Sequence, residues 1–560
     1  MISDRRGSGG FKTLGHMACG ALVACFCLMA FLHSFRSLRG LEWPYDSDMF
    51  RDIALAQTIA DGGWPADPYY AGELSWYPPL VPVVVALCST VSGIPVPLVY
   101  TRGGAFFDLL CPIALYLLVA RLFGCWAGLA SVVSFLFLGP TDLPSWAMPT
   151  YSPWMFPATF VQGIFYVGLA MLFGVAVRGS NVQRHGKVGI RFLAVGAVLG
   201  LTFLGHAAPA IILAACIGVV LLMLEPGAPF RPRALRIGLL GLLALVAALL
   251  VSSPFLENIL FHYHLHIQNP VPNNWNGGDV LIGRWRALGQ SFLAVENGVA
   301  VLGLVALLVN RDLRWQKALL LTWILVSGGL FGYGYVQQLY SLPAFIPQYH
   351  FLFYVRASLH VLFGFGVVTI AKATVFAGET VARRARAEWF KATPWIVAAL
   401  VCAICIGWVL SRWGNYANRT DFVGSPAQAF LKARRIKRDG VVDWLRANTR
   451  QGEVVLADFD DGLFLVGPAG RRVVATYGAF SNPYIALAPR EAEHRALFLA
   501  FRSDDEKSFR RLAGQRGVRH VLLSLTSREN PVCASFSREV YSRGDAIICR
   551  VDDPSPGIGR

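Results

Sequence analysis

The residues best suited to chemistry lie between two apolar runs, in LEWPYDSDMFRDIALAQTIADGGWPADPYYAGELSWYPPL, residues 41–80. Seven carboxylates, Glu42, Asp46, Asp48, Asp52, Asp61, Asp67 and Glu73, stand there against one cation, Arg51. Aromatic residues and prolines crowd them. A carboxylate in such a setting beside a bilayer is costly unless it is used, and one with a shifted pKa can take a proton from a hydroxyl. Asp46 and Asp48, just beyond the preceding apolar run, are the candidates for that base. The competing reading is a solvated acidic loop.

Other polar residues sit near the ends of apolar runs. Arg356 and His350 lie in PQYHFLFYVRASLHVLFGFG, with Arg356 about one turn inside the run. A guanidinium there either pairs with a phosphate, which it matches bidentately, or snorkels to the interface. His206, in FLGHAAPA, either contacts a substrate or caps a helix. Asp142, in TDLPSWAMPTYSPW, is a second loop acid or an N-cap. His262, His264 and His266 form HYHLH, a weak metal-binding spacing without a further ligand. Asp108 falls within an apolar run, with Arg102 near enough in sequence to pair with it. The acids of ADFDDG, residues 458–461, form a turn or bind a cation. Trp76, Tyr77, Trp146, Trp154 and Trp275 read as interfacial aromatics.

These residues need a frame, and the composition says what it is. The chain has 560 residues, 55% of them hydrophobic and 15% charged, with mean hydropathy +0.50. A soluble chain carries about 25% charged residues. A purely soluble enzyme, a disordered protein and a small disulfide scaffold are excluded; a polytopic membrane protein with a soluble part is required. The net charge of +16 follows from basic cytoplasmic connectors. No basic segment shows nucleic-acid patterning, so no nucleic-acid partner is expected.

Candidate spans lie near 13–34, 78–97, 103–121, 124–140, 155–178, 190–206, 208–225, 237–255, 289–309, 318–335, 350–371 and 393–411. The first is too long for a signal peptide and reads as an uncleaved helix. Basic connectors at Arg184–Arg191, Arg231–Arg236, Arg311–Lys317 and Arg383–Arg386 all fit in the cytoplasm. That puts 35–77, 141–154, 256–288, 336–349 and everything after 412 outside. Three spans separate the first two outer loops, and an odd number cannot return the chain to the same side. Either one of them does not fully cross, or 103–140 is one broken crossing.

The expected fold is mainly α: a transmembrane bundle of about 11–13 helices over 1–412, then a soluble α/β domain over 413–560. In the latter, GVVDWLRANT reads as a helix and EVVLAD, RRVVATY, VRHVLLSL and AIICRV as strands. PREAEHRALFLAFRSDDEKSFRRLAGQRG reads as one or two helices. Nine cysteines lie in apolar segments, while Cys533 and Cys549 lie in the polar domain as a bridge or as two buried thiols.

The stretch Asp46-Ser-Asp48-Met-Phe-Arg-Asp52-Ile-Ala54, followed by Trp76-Tyr77-Pro78-Pro79-Leu80 at the next span, resembles the GT-C superfamily. These integral-membrane glycosyltransferases use polyprenyl-phosphate sugars. They include oligosaccharyltransferase catalytic subunits, protein O-mannosyltransferases and the aminoarabinose transferases of lipid A. In those families an Asp of the first outer loop stands eight residues before a helical Ala, as Asp46 stands before Ala54. About a dozen spans before a periplasmic domain is also their layout. The WWDYG motif of oligosaccharyltransferases is absent, which argues against Asn-linked transfer, and the Asp-Glu pair of the other two groups reads Asp46-Ser47.

The resemblance implies an inverting transfer from a polyprenyl-phosphate sugar to an envelope lipid, cell-wall glycan or protein, at the periplasmic face of a bacterial inner membrane. Asp46 is then the general base, with Asp48 as alternate or partner. Asp142 would help hold a divalent cation (Mg or Mn) or orient the acceptor, and Arg356, assisted by His350, would bind the lipid phosphate. His206 would contact donor or acceptor, and one or two aromatics such as Trp76 and Tyr77 would stack on sugar. Neither a Walker motif nor a Rossmann fingerprint occurs, which disfavours a cytoplasmic nucleotide sugar. The rival is a transporter or flippase, which calls for two similar halves and broken helices at midplane. A structural subunit is a third class and would need neither Asp46 nor Arg356.

Overall fold

The computed structural model describes residues 7–139, 147–179, 185–224, 229–272, 295–342, 346–382, 393–419, 422, 440–524, 532–544 and 546–552. The chain divides into two compact units. The first comprises 1–39, 104–252 and 276–423, and the second 40–103, 253–275 and 424–560.

Each apolar segment read from the sequence contains a helix among its described residues. Among the described residues eight helices are long and apolar enough to cross a membrane: Thr13–Ser37, Val96–Phe123, Pro157–Val177, Val188–Gly205, Phe230–His262, Arg314–Tyr340, Tyr349–Ala377 and Trp395–Ala417. The protein is a multi-pass membrane protein. Four further apolar helices are shorter: Leu80–Ser92, Cys125–Phe137, Ala207–Met223 and Val295–Val309. At 13 residues, the first two of these rise only about 20 Å each, less than the ~30 Å hydrocarbon layer. Leu110–Phe123 and Cys125–Phe137 pack side by side, with Gly128 against Tyr116, across a turn at Gly124 (φ 99°). Residues 103–140 are therefore not one broken crossing.

Small residues set the closest approaches in the first unit. A Cβ on Gly303 would overlap the Leu362 carbonyl, and one on Gly366 the Val299 carbonyl. The Val295–Val309 and Tyr349–Ala382 helices thus cross backbone to backbone, as membrane helices do at glycines. Beside them Trp323 donates to the Tyr354 carbonyl (3.0 Å) and meets Phe165 edge-on. Trp154 is 2% exposed, so it packs inside the unit and does not face a membrane edge. Trp146 and Trp275 lie outside the described residues.

The second unit contains a four-stranded sheet: β1 (Val454–Leu456), β2 (Val518–Ser524), β3 (Ser537–Arg543) and β4 (Ala546–Val551), in the order β1-β2-β4-β3. β1 and β2 are parallel and the other two pairs antiparallel. The expected long helical stretch is two helices, Leu487–Arg502 and Glu506–Arg516, whose Leu497, Phe501 and Phe509 pack on Val521 and Leu523 of the sheet. Cys533 and Cys549 form a disulfide.

The sequence reading differs from the structure at two elements. Residues 471–477 form no strand, and Val454–Arg472 is a single bridge. The reason is that consecutive residues there, Arg471 and Arg472, are both buried, where a half-buried strand would alternate. Arg471 donates to the Leu445, Arg446, Thr449 and Ala469 carbonyls. β3, SREVYSR, was not foreseen, because its charges are those of an edge strand and hide its β pattern.

Candidate functional site

The first outer segment is the best-built part of the second unit. Ser47–Ala60 is a helix whose residues from Met49 to Thr58 are all buried. Phe50 stacks on Trp43 (5.8 Å between ring centres) and meets Phe464 edge-on (4.9 Å). Asp46 is its N-cap: Oδ1 accepts the Asp48 N–H at 3.0 Å. This satisfies one of the helix's orphan donors and places the carboxylate at the positive end of the helix. The other oxygen has no hydrogen-bond partner among the described residues.

Three carboxylates and one guanidinium share this turn. Arg51 Nη1 lies 2.9 Å from Asp48, and Nε and Nη2 lie 3.1 and 3.0 Å from Asp52 Oδ1. The Tyr77 ring lies 3.4 Å from the guanidinium carbon. Asp52 is fully buried and also accepts the Tyr100 hydroxyl at 2.9 Å. Burial opposes the Arg51 charge, but Tyr77, Asp52 and Asp48 outweigh it and hold its pKa well above the usual value. Burial, then the charge of Asp48, pushes the half-buried Asp46 up to about 7. Burial likewise pushes Asp52 up to about 6. A carboxyl poised near 7 suits a general base.

The C-terminal domain is bonded to this segment within the unit. Asp67 Oδ1 accepts the N–H groups of Tyr69 (2.8 Å) and Tyr70 (3.0 Å), and its Oδ2 accepts Asn482 Nδ2 (3.1 Å). Asn482 Nδ2 is also 2.9 Å from the Tyr263 hydroxyl. Tyr70 bonds Ser481, Arg490 pairs with Glu73 (2.8 Å), and Arg472 donates to the Pro68 carbonyl (3.0 Å). Val473 N–H donates to the Tyr69 carbonyl (2.7 Å).

Among the expected site residues, Asp46, Asp48 and Tyr77 come together in the second unit. Trp76 packs edge-on to Tyr77. His206 and His350 come together in the first unit, His206 Nε2 being 3.2 Å from His350 Nδ1. Because His206 Nδ1 accepts the Ala208 N–H (3.2 Å), its Nε2 carries the proton and donates to His350. Arg356 donates to the Ala147 carbonyl at 3.0 Å. Asp142 lies outside the described residues.

Three lesser readings change. Arg102 does not pair with Asp108: its Nε donates to the Leu41 carbonyl, while Asp108 accepts Thr159 at 3.2 Å. HYHLH lies in no single helix or strand: His262 is the last residue of a π-helical turn, and both His264 and Leu265 have positive φ. Asp458 caps a one-turn helix by accepting the Asp461 N–H (2.7 Å), so ADFDDG is a turn. Among the described residues no three His, Cys, Asp or Glu side chains gather to hold a metal ion.

Sequence reasoning gave no role to Arg51, Asp52, Tyr100, Arg472 or Asn482. The lone cation among seven acids marked Arg51. Nothing local marks Tyr100 or Asn482, which reach their partners across 48 and 415 residues.

No family model and no curated protein matches the sequence. Solved structures do match this chain. ArnT from Cupriavidus metallidurans aligns in its apo state with a TM-score of 0.51 and 13% identity, over 95% of this chain and 98% of that one. Its complex with undecaprenyl phosphate aligns with the same TM-score and 12% identity, over 94% and 97%. The chain shares the fold of these two structures. The archaeal oligosaccharyltransferase AglB from Archaeoglobus fulgidus, with an inhibitory peptide and a dolichol-phosphate, aligns with a TM-score of 0.49 and 13% identity, over 90% and 69%. At these identities the likeness is one of fold. The shared fold is a helical membrane bundle before a C-terminal domain with a small sheet, as the sequence reading expected.

Proposed function

We propose that this protein is an inverting glycosyltransferase that moves a sugar from a polyprenyl-phosphate carrier to an envelope lipid, cell-wall glycan or protein. We place the reaction at the periplasmic face of a bacterial inner membrane. The carrying observation is Asp46: a half-buried carboxylate poised near neutrality at the start of a buried helix, on a GT-C fold. Asp46 takes the proton of the acceptor hydroxyl. The hydroxyl oxygen bonds to the anomeric carbon on the face opposite the phosphate. The bond from that carbon to the phosphate oxygen breaks, and polyprenyl phosphate leaves with the electron pair. Arg356, with His350, binds the lipid phosphate; His206, Trp76 and Tyr77 contact donor or acceptor sugar.

A divalent cation near Asp142 belongs to this proposal as an expectation. Its ligand lies outside the described residues, and no step is routed through it. No observation on the described residues favours a transporter or flippase.

The test uses membranes containing the full chain and a panel of undecaprenyl-phosphate hexoses and pentoses carrying labelled sugar. Release of undecaprenyl phosphate together with movement of label into envelope fractions is expected, and Asp46→Asn abolishes both. A chain that consumes no donor above background, or an Asp46→Asn variant with full activity, overturns the proposal.

A further inference from the structure

The cluster around Asp46 contains one arginine that touches two carboxylates, and its geometry is lopsided. Arg51 gives Nη1 to Asp48 and two nitrogens to Asp52. Asp52 lies at 0% exposure, while the Asp48 side chain is 46% exposed. Asp52 is fixed from a second direction by the Tyr100 hydroxyl at 2.9 Å, and Arg51 is covered by the Tyr77 ring. The guanidinium is therefore clamped, and it cannot swing toward Asp46 without leaving Asp52 as a buried, underpaired charge. Breaking such a buried pair is strongly unfavourable.

We infer that Arg51 and Asp52 are positioning residues for the proposed reaction: Asp52, braced by Tyr100, holds the Arg51 guanidinium on Asp48, so that Asp46 is the carboxylate left to take the proton. The assignment rests on the function proposed above. It explains why the cluster holds three acids where proton transfer needs one. One acid accepts the proton, one is paired, and one anchors the cation that does the pairing. The groups acting on Asp46 are Asp48, Arg51 and Asp52 on its own turn, with Tyr69, Tyr77 and Tyr100 behind them. The Leu80–Ser92 helix and the Gly462–Val466 turn, which pack on the same helix, bring only uncharged residues.

Two substitutions must then act in opposite directions. Asp52→Asn removes one negative charge near Asp46 and releases Arg51 toward the remaining acids, so the Asp46 midpoint falls. Arg51→Gln removes the cation that acts on Asp46 among the described residues, so the midpoint rises. Each shift is about one pH unit, the scale for a charge a few ångströms away. Arg51→Lys retains the charge but cannot bridge Asp48 and Asp52, so its midpoint lies between those of wild type and Arg51→Gln.

The measurement is a pH titration of the purified full chain by infrared spectroscopy. The protonated carboxyl band of Asp46 is isolated as the difference between each protein and the same protein carrying Asp46→Asn. No substrate is needed, so this inference and the proposed function fail separately: an inactive chain with opposed shifts sinks only the latter. Opposed shifts support the positioning role. Shifts of the same sign, or midpoints unchanged in both variants, overturn it. If Arg51→Gln does not fold, Asp52→Asn decides alone, with an unchanged or raised midpoint overturning the assignment. In transfer assays the same variants move the acid limb of kcat and leave KM for the donor within about twofold, which a merely structural role would not do.

Discussion

Replacing Asp46 by Asn separates chemistry from architecture unusually well. Asn caps a helix about as well as Asp, and its side-chain oxygen can still accept the Asp48 N–H that Asp46 accepts at 3.0 Å. The variant should therefore fold with a melting temperature no lower than that of the wild type, whereas Asp46→Ala loses the cap, worth about 1 kcal/mol. What Asn cannot do is accept a proton, and the loss of a general base costs about 10²–10⁴ in rate. Because Asp46 is pushed up to about 7, chiefly by burial and then by Asp48, the loss itself depends on pH. About ten-elevenths of the wild-type chain is ionised at pH 8, about half at pH 7 and about one-hundredth at pH 5. The wild-type to Asp46→Asn ratio of kcat should be flat above pH 8 and shrink about tenfold per unit below 7. The assay is release of undecaprenyl phosphate from the donor that the panel identifies, read from pH 5 to 9. A ratio that does not change with pH, or a full loss in Asp48→Asn with none in Asp46→Asn, would refute the reasoning.

The remaining predictions concern the frame. Asn482→Leu removes the donor that Asp67, Tyr263 and the Leu74 carbonyl share; about 1–3 kcal/mol should be lost in thermal unfolding, and an unchanged melting point would deny that contact its role. Gly467→Ala puts a methyl into Tyr69 and close to Ala54, and overpacking of this kind costs about 1–3 kcal/mol, read as a lowered melting temperature. Asp67, pushed up to about 6 by burial, is protonated more readily in the folded chain than in the unfolded one. Its ionisation therefore costs stability, which falls as pH rises from about 4 to about 6 and is level above; melting curves across that window should flatten in Asp67→Asn. Peptide mapping without reductant should recover the Cys533–Cys549 pair, and Cys533→Ser with Cys549→Ser should lose about 3 kcal/mol for a loop of 16 residues.

The helices were legible because a bilayer admits few solutions. Twenty apolar residues without charge must become a helix, since no water is present to satisfy the backbone. The helical end of the first outer loop was legible too, because Asp46-Ser47-Asp48 ahead of a helix-forming run is an N-terminal signal. Pairing was less legible. Arg102 and Asp108 are six residues apart, about 240° round a helix, so they face different neighbours and find Leu41 and Thr159 instead. RRVVATY has β-branched residues but spends its arginines on carbonyls and its Val473 N–H on Tyr69, so propensity yields to tertiary bonding. Whether Cys533 and Cys549 were bonded stayed open in the sequence, because a spacing of 16 residues carries no geometry until β4 sets one of the two in place.

The least legible feature is what the C-terminal domain does. Within its own unit it holds the segment that carries Asp46. Asn482 and Ser481 bond Asp67 and Tyr70, Arg490 pairs with Glu73, Arg472 caps the Pro68 carbonyl, and Phe464 packs on Phe50. None of these residues forms a motif, since each is an ordinary polar or aromatic residue whose partner lies some 400 positions away. A buried carboxylate near neutrality needs its surroundings fixed, because a displacement that lets water in would return it to its ordinary value and remove its usefulness as a base. The domain's contribution is then to hold the first loop in place. That contribution is spread over many contacts too modest to be read singly.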